Sequence, residues 1–395
     1  MITVSSDYGR RYLFYLYLLL GVLAAFPPLV TDMYLPALPA MTREFSASES
    51  MVQLSLAACI LGLAVGQLFF GPLSDKYGRR LLMRCALLLF LGATLASIMS
   101  TSIATFNICR FFQGLGGAGG VVLSRSVATD CYEGKELAKA LAIIGAINGI
   151  APVTAPVIGG LFSEAIGWKG IFWILFAVGG VILLLSTPFR ESHLPEKRYH
   201  GSLLSLFAKA GMLLHNRRFL THVIVFGMSN GVLFGYISSA SFILQNDFGM
   251  SELSFGITFG INAMAIALGS MLTLKMKRME IASRIGCIGM LCCSLLQFVG
   301  YWLGGGMLCY EVLMFGMLFC VGLVFTSATT LAMTEGRAMI GWASAIVGAT
   351  GFLFGGIVTP LVGLGVIRLS TFTAISACAL IASLLQIRVR TPRTA

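Results

Sequence analysis

Two ionisable residues stand where water should be scarce. Asp32 falls between Leu29-Val30 and Met33-Tyr34-Leu35, and Arg110 interrupts the otherwise uncharged run 102–124. Taking a carboxyl out of water favours its neutral form, whereas a nearby cation favours the charged one, so an acid so placed can take up and release protons. A guanidinium stays protonated throughout and needs a partner or water. The chemistry this implies is proton exchange tied to substrate binding. Alternatives stay open for both residues. About 21 residues separate Arg11 from Asp32, roughly the 30 Å of a hydrocarbon core, so Asp32 lies either in a cavity or at the interface as a cap. Arg110 pairs either with Asp32 or with backbone carbonyls, or it reaches toward the outer end of its helix.

A third group of charges lies in Gly71-Pro72-Leu73-Ser74-Asp75-Lys76-Tyr77-Gly78-Arg79-Arg80, a polar hinge between the apolar runs 49–70 and 81–99. So short a connection makes those runs antiparallel neighbours. Its glycines permit close approach, Pro72 stops or starts a helix, and Asp75, Arg79 and Arg80 place opposite charges at a membrane edge.

The elements that must position these residues follow from composition. Hydrophobic residues make up 57% of the 395 positions and charged residues 11%, against about 25% charge in soluble domains. Twelve runs are each long enough to span a bilayer, near 12–31, 49–70, 81–99, 102–124, 140–162, 170–188, 219–244, 253–274, 285–304, 307–333, 339–365 and 369–387. They are continuous rather than alternating, which predicts helices and not barrel strands. The fold expected is an all-α integral membrane protein of twelve transmembrane helices.

The net charge of +11 raises the question of a nucleic-acid partner. With a cytoplasmic N-terminus, 23 of the 27 Lys and Arg fall on the cytoplasmic side, Arg43, Lys169 and Arg368 fall outside, and Arg110 lies within a span. That asymmetry is the positive-inside pattern. It assigns the charge to topology, places both termini in the cytoplasm and argues against nucleic acid. The first apolar run lacks a cleavage site and reads as the first span. The ten cysteines lie almost wholly in apolar runs without metal-like spacing, so free buried thiols are expected.

Residues 189–218 form the longest polar stretch and divide the chain into a first bundle at 1–188, a cytoplasmic central loop, and a second bundle at 219–395. His193, His200, His215 and His222 fall in or near that loop, where solvation is expected. Gly145, Pro156 and Gly159 are echoed by Gly348, Pro360 and Gly363, which suggests two pseudo-symmetric six-helix bundles rocking about a midplane site.

With these residues in view, the 71–80 stretch resembles the signature between the second and third helices of the major facilitator superfamily. Three further stretches agree: Asp32-Met33-Tyr34-Leu35-Pro36-Ala37-Leu38-Pro39, Arg110-Phe111-Phe112-Gln113-Gly114, and Ala151-Pro152 through Ala155-Pro156 to Gly159-Gly160. Together they are most similar to the drug:proton antiporters, in particular multidrug exporters of the Bcr/CflA type. The loop near 274–284 keeps the charge of the signature but not its Gly-x-x-x-Asp pattern. The resemblance implies proton coupling through Asp32 and Arg110. It also implies a cytoplasmic gate built from Gly71, Asp75, Gly78, Arg79 and Arg80 with charge contacts in both bundles, and an antiporter helix carrying Gly149, Pro152, Pro156, Gly159 and Gly160.

Aromatic and amide side chains on inward-facing helices are the pocket candidates: Tyr34, Gln113, Asn148, Tyr236 and Asn262. Gly114 through Gly119 fits a dinucleotide pattern, but no strand precedes it. Gly227-Met228-Ser229-Asn230-Gly231 fits a hydrolase elbow, but no His follows to complete a triad. No phosphate-binding loop is present. The expectation is therefore a non-enzymatic, proton-driven exporter of drug-like or metabolite molecules in the bacterial inner membrane, monomeric and without cofactor. A dedicated transporter of one metabolite class, such as a nucleoside, sugar or siderophore, is the nearest alternative. An intramembrane enzyme or a non-transporting sensor stands further off.

Overall fold

The computed structural model describes residues 10–199, 201 and 211–388. His200, Lys209, Arg390 and Arg393, assigned above to the cytoplasmic side or the central loop, lie outside the described residues. Apolar runs with no internal polar alternation satisfy their backbone only as helices, and no strand occurs among the described residues. In order the helices are α1 Arg10–Ala24, α2 Phe26–Asp32, α3 Leu38–Glu44, α4 Glu49–Tyr77, α5 Arg79–Ile98, α6 Ile103–Cys131 and α7 Gly134–Leu185. The second half contributes α8 Arg217–Phe242, α9 Glu252–Lys275, α10 Met279–Trp302, α11 Met307–Glu335, α12 Ile340–Val362 and α13 Ile367–Arg388.

Side-chain caps start several of them. Ser48, Ser102 and Ser251 accept from the amides of Met51, Thr105 and Ser254, and Asn216 accepts from Arg218 and Phe219. Each takes up a donor that the first helical turn cannot satisfy internally.

Ten helical stretches among the described residues are long and apolar enough to cross a membrane. The first of these joins α1, α2 and α3 into one crossing, Arg11–Glu44, so it extends well beyond the 12–31 read from hydropathy. Pro27, Pro28, Pro36 and Pro39 bend this crossing instead of ending it. At 52 residues, α7 would be about 78 Å long, far more than a bilayer, and it turns back at Gly167 (φ 64°, ψ −178°). Counting its second arm, and α6 with its buried Arg110, the described residues make twelve crossings.

The hinge at 71–80 is more helical than its composition suggested. α4 runs through Pro72 to Tyr77 and α5 begins at Arg79, so Gly78 alone, at φ 99°, makes the turn. That backbone conformation favours glycine. A side chain there would also meet the Glu191 carboxylate at 2.6 Å.

The two halves repeat a packing device. A Cβ at Gly62 of α4 would lie 2.1 Å from the Phe111 carbonyl oxygen, and one at Gly114 of α6 2.0 Å from that of Cys59. In the second half, a Cβ at Gly269 of α9 would likewise collide with the Phe319 carbonyl, and one at Gly322 of α11 with that of Ile266. Small residues thus let backbones touch where lipid provides no hydrophobic drive between helices. The pairs recur at the same places in each half, which makes the internal echo a matter of packing as well as sequence.

Candidate functional site

Asp32 is the last residue of α2, followed by a tight turn through Met33 and Tyr34 before Pro36. It is 4% exposed. Another 12 residues follow through Glu44, about 18 Å of path at helical rise, within the same helical stretch Arg11–Glu44. Its Oδ1 is buried without a hydrogen-bond partner, while the neighbouring Thr31 hydroxyl donates back to Pro27 O at 2.8 Å.

Asp32 lines a cavity of about 700 Å³ between the two halves. From the first half come Pro27, Thr31, Gln67, Arg125, Asn148, Gly149 and Pro152; from the second come Phe226, Asn230, Phe234, Tyr236, Phe259, Phe325 and Phe352. The wall is aromatic with a few amides, a surface suited to orienting lipophilic molecules. A wider vestibule continues past Arg125, Thr329, Met333, Thr334 and Arg337. It therefore leads toward the face where α6 and α11 end and α12 begins, the face that also carries Arg79, Arg80, Arg217 and Arg218.

Arg110 is fully buried and does not pair with Asp32. Its Nη1 donates to Gln113 Oε1 and its Nη2 donates to the Val30 carbonyl at 2.9 Å. The guanidinium lies 4.3 Å from the centre of the Tyr34 ring and 5.4 Å from that of Phe172. Gln113 in turn donates to Thr94 Oγ1 at 2.8 Å, and the Tyr34 hydroxyl pairs with Ser55 at 3.0 Å. Of the partners considered from sequence, the backbone carbonyl is the one the fold supplies. Because that carbonyl belongs to Val30, two residues before Asp32, Arg110 holds the acid's segment without touching the acid.

The charged motif forms a tight cluster on the basic face. Arg79 is buried, with Nη1 2.6 Å from Asp75 Oδ1 and Nε 2.9 Å from Asp130 Oδ2. Glu191, just after α7, accepts from the backbone amides of Arg79 at 2.8 Å and Arg80 at 3.1 Å. A carboxylate there satisfies two orphan donors and opposes the positive end of the α5 dipole. Tyr199 N donates to Asp75 O at 3.0 Å. None of the described partners of Asp75, Arg79 or Arg80 belongs to the second half. Among the described residues the motif makes no contact across to the second bundle, and its face of the molecule is the open one.

The opposite face is closed. Five hydrogen bonds cross it: Ser50 Oγ to Gly363 O (3.0 Å), Gln53 Nε2 to Ser238 O (3.2 Å), Ser241 Oγ to Leu35 O (2.6 Å), Gln245 Nε2 to Pro36 O (2.9 Å) and Asn246 Nδ2 to Glu49 Oε1 (2.7 Å). The Pro152–Gly160 stretch of α7 forms a second seam. A Cβ at Gly160 would lie 2.4 Å from Glu252 O of α9, and one at Gly256 2.4 Å from Pro156 O. A Cβ at Gly159 would collide with the Met33 carbonyl, so the glycine lets α7 pass close to the turn after Asp32. Gly149 has no atom within 4 Å of such a Cβ and lines the cavity instead. Gly71 is less crowded, at 3.8 Å from Val122.

Among the pocket candidates, Asn148 and Tyr236 line the cavity. Tyr34, Gln113 and Asn262 do not. The first two are fully buried around Arg110, and Asn262, 1% exposed, sits behind Tyr236 and donates to its hydroxyl at 2.9 Å. His222 is 3% exposed on α8 and not solvated, since it lies one turn inside the helix that Asn216 caps. The ten cysteines are all free. Sequence reasoning passed over Arg125, counted only among the cations of the cytoplasmic side, and over Asp130 and Glu191. It also missed Glu311, an acid inside the run 307–333, although its place within an apolar run was a usable signal.

Residues 19–360 match the sequence profile described as Major Facilitator Superfamily. The chain is 36% identical over 352 residues to an uncharacterized MFS-type transporter, YdgK, of Bacillus subtilis, covering 88% of each chain. It is 28% identical to a bicyclomycin resistance protein homolog of Haemophilus influenzae, covering 87% of this chain and 88% of that one, and 28% identical to multidrug resistance protein D of Escherichia coli, covering 88% of each. Among solved structures it resembles an inward-facing, occupied bacterial homolog of the human lysosomal transporter Spinster. The TM-score is 0.75 at 15% identity, over 96% of this chain and 97% of that one. A D-xylose-proton symporter gives a TM-score of 0.68 at 16% identity, over 94% and 97%.

Proposed function

Because the chain belongs to the Major Facilitator Superfamily, we propose that it is a proton-coupled antiporter that exports lipophilic, drug-like molecules across the bacterial inner membrane. The observation that carries this is Asp32: a buried acid with an unpartnered oxygen, at a helix break, in the wall of an aromatic cavity that opens on one face only. Protonated, it removes the negative charge from this part of the wall; ionised, it must be compensated by a substrate's charge or donors or by water. Proton and substrate thus compete for one carboxyl, which is the simplest form of exchange.

The basic face is read as cytoplasmic on the positive-inside pattern, with both termini there, so the vestibule admits substrate from the cytoplasm. The proton gradient supplies the energy. One proton entering down about 150 mV provides roughly 3.5 kcal/mol, enough for a concentration ratio of a few hundred at about 1.4 kcal/mol per tenfold. The reading includes no catalysis and no cofactor, and it takes the monomer as the working unit. It is supported by the relatives named for drug and bicyclomycin resistance and by the cavity's Met, Phe and amide lining, which can repack around different shapes.

The test is quenching of a pH-gradient dye in energised everted vesicles, challenged with a panel of lipophilic cations and neutral antibiotics. Addition of a substrate should dissipate the gradient in vesicles carrying wild type and not in those carrying Asp32→Asn. No response from wild type to any member of a broad panel counts against the proposal.

A further inference from the structure

We propose that Glu311 is a second proton-accepting group and that its protonation decides which face of a hydrogen bond Tyr236 presents to the cavity. This rests on the transport reading for its purpose but not for its test. Glu311 is the fifth residue of α11, toward the closed face. Its Oε2 accepts from Asn262 Nδ2 at 2.7 Å, and its Oε1 is buried with no partner. It has no ion-pair partner among the described residues.

The same amide nitrogen of Asn262 donates to the Tyr236 hydroxyl at 2.9 Å. Both hydrogens of the amide are thereby committed, one to the carboxylate and one to the phenol oxygen. Tyr236 and Asn262 are each 1% exposed, and Phe259 lies against the Tyr236 ring at 5.4 Å and 18°. With its oxygen accepting from Asn262, the phenol of Tyr236, a residue that lines the cavity, has its own hydrogen uncommitted to any described acceptor.

Adding a proton to Glu311 reverses the chain. A proton on Oε1 would be a buried donor without an acceptor, so it is placed on Oε2; there the acid donates, only the amide oxygen of Asn262 can accept, and Asn262 turns over. That oxygen accepts from Tyr236 as well, and the hydroxyl hydrogen is no longer uncommitted. No bond is made or broken beyond the proton on Glu311. A substrate acceptor bound against Tyr236 loses its donor when Glu311 is protonated, which places this acid in the same exchange as Asp32 but on the other half of the molecule.

The titratable and charged groups around Glu311 are few. Tyr236 faces it from α8 and Tyr310 adjoins it on α11; beside Tyr310, Asp247 and Arg368 pair with each other at 3.7 Å. Arg368 is further held over the Phe248 ring at 4.7 Å and the Tyr301 ring at 5.3 Å. Gln297 of α10 donates to the Tyr310 carbonyl at 3.0 Å. The cation nearest to this region is therefore already occupied.

The experiment is infrared difference spectroscopy of the purified, substrate-free protein in lipid nanodiscs across a pH titration. A protonated-carboxyl C=O band should be lost in Glu311→Gln, retained in Asp32→Asn, and shifted in frequency by Tyr236→Phe, which removes only the hydroxyl. Glutamine is the neutral isostere, so the variant should keep wild-type monodispersity, and Tyr236→Phe provides an independent reading of the same band. If Glu311→Gln loses no band, or if the band is indifferent to Tyr236→Phe, the proposal is overturned. A failure of transport itself would instead appear as absent flux from wild type with the Glu311 band still present.

Discussion

The guanidinium of Arg110 stacks 4.3 Å from the centre of the Tyr34 ring and donates to the carbonyl of Val30, not to Asp32. The buried cation is thus a clamp on the segment that ends in Asp32. It fixes where the acid stands, and the acid, in the cavity wall, keeps a buried oxygen without a hydrogen-bond partner.

Arg110→Lys should therefore damage both stability and transport. Lysine lacks the planar fork that satisfies Gln113 and Val30 together and stacks on Tyr34, and a buried acceptor left unmade costs about 1–3 kcal/mol. Thermal unfolding in detergent should show a clear loss of midpoint relative to wild type. A variant with unchanged stability would mean that the clamp is not structural.

Asp32→Asn should separate the two effects, sparing stability and abolishing transport. The amide is isosteric and neutral, and no described ion pair is broken, so the unfolding midpoint should stay at or slightly above that of wild type. Substrate-driven proton movement in everted vesicles should vanish. Retained coupling in this variant would remove Asp32 from the exchange.

In the basic cluster, Arg79 is buried between Asp75 and Asp130, whereas the Asp75 side chain is 46% exposed. Asp75→Asn should cost no more than about 1 kcal/mol, in keeping with an exposed pair. Arg79→Gln leaves carboxylates uncompensated and should cost about 3–5 kcal/mol, partly restored by adding Asp130→Asn. A double-mutant cycle of unfolding measures the coupling; an Arg79→Gln cost equal to that of Asp75→Asn would contradict this arrangement.

Gly160→Ala and Gly256→Ala each push a methyl group into backbone across the closed seam, at 2.4 Å. Overpacking of this kind costs about 1–3 kcal/mol, and it is felt only while the seam is shut. Spin labels on the two halves at the closed face should report a longer separation, with the open population rising about tenfold per 1.4 kcal/mol. Unchanged distance distributions in both variants would show that the seam does not set this equilibrium.

Much of the architecture was legible before folding. Twelve crossings, the sidedness of the cations and the anomaly of an acid at position 32 depend on length, hydropathy and charge, which are properties of each segment by itself. Glu311 was legible on the same terms and was passed over. The first crossing was misjudged in extent because its apolar run was cut just before Asp32, whereas the helical stretch continues past the acid and its prolines to Glu44.

What the chain alone could not reveal is which way each helix faces. The spans are apolar nearly all round, so they carry little amphipathic signal to say whether a residue meets lipid, a neighbour or the cavity. Whether Arg110 meets Asp32 or Val30, whether Asn262 lines the pocket or stands behind Tyr236, and whether Gly160 meets Glu252 are questions of helix rotation and close packing between segments distant in sequence. The sequence placed an acid and a cation inside the membrane; only the tertiary structure made one the open site and the other the clamp that holds its backbone.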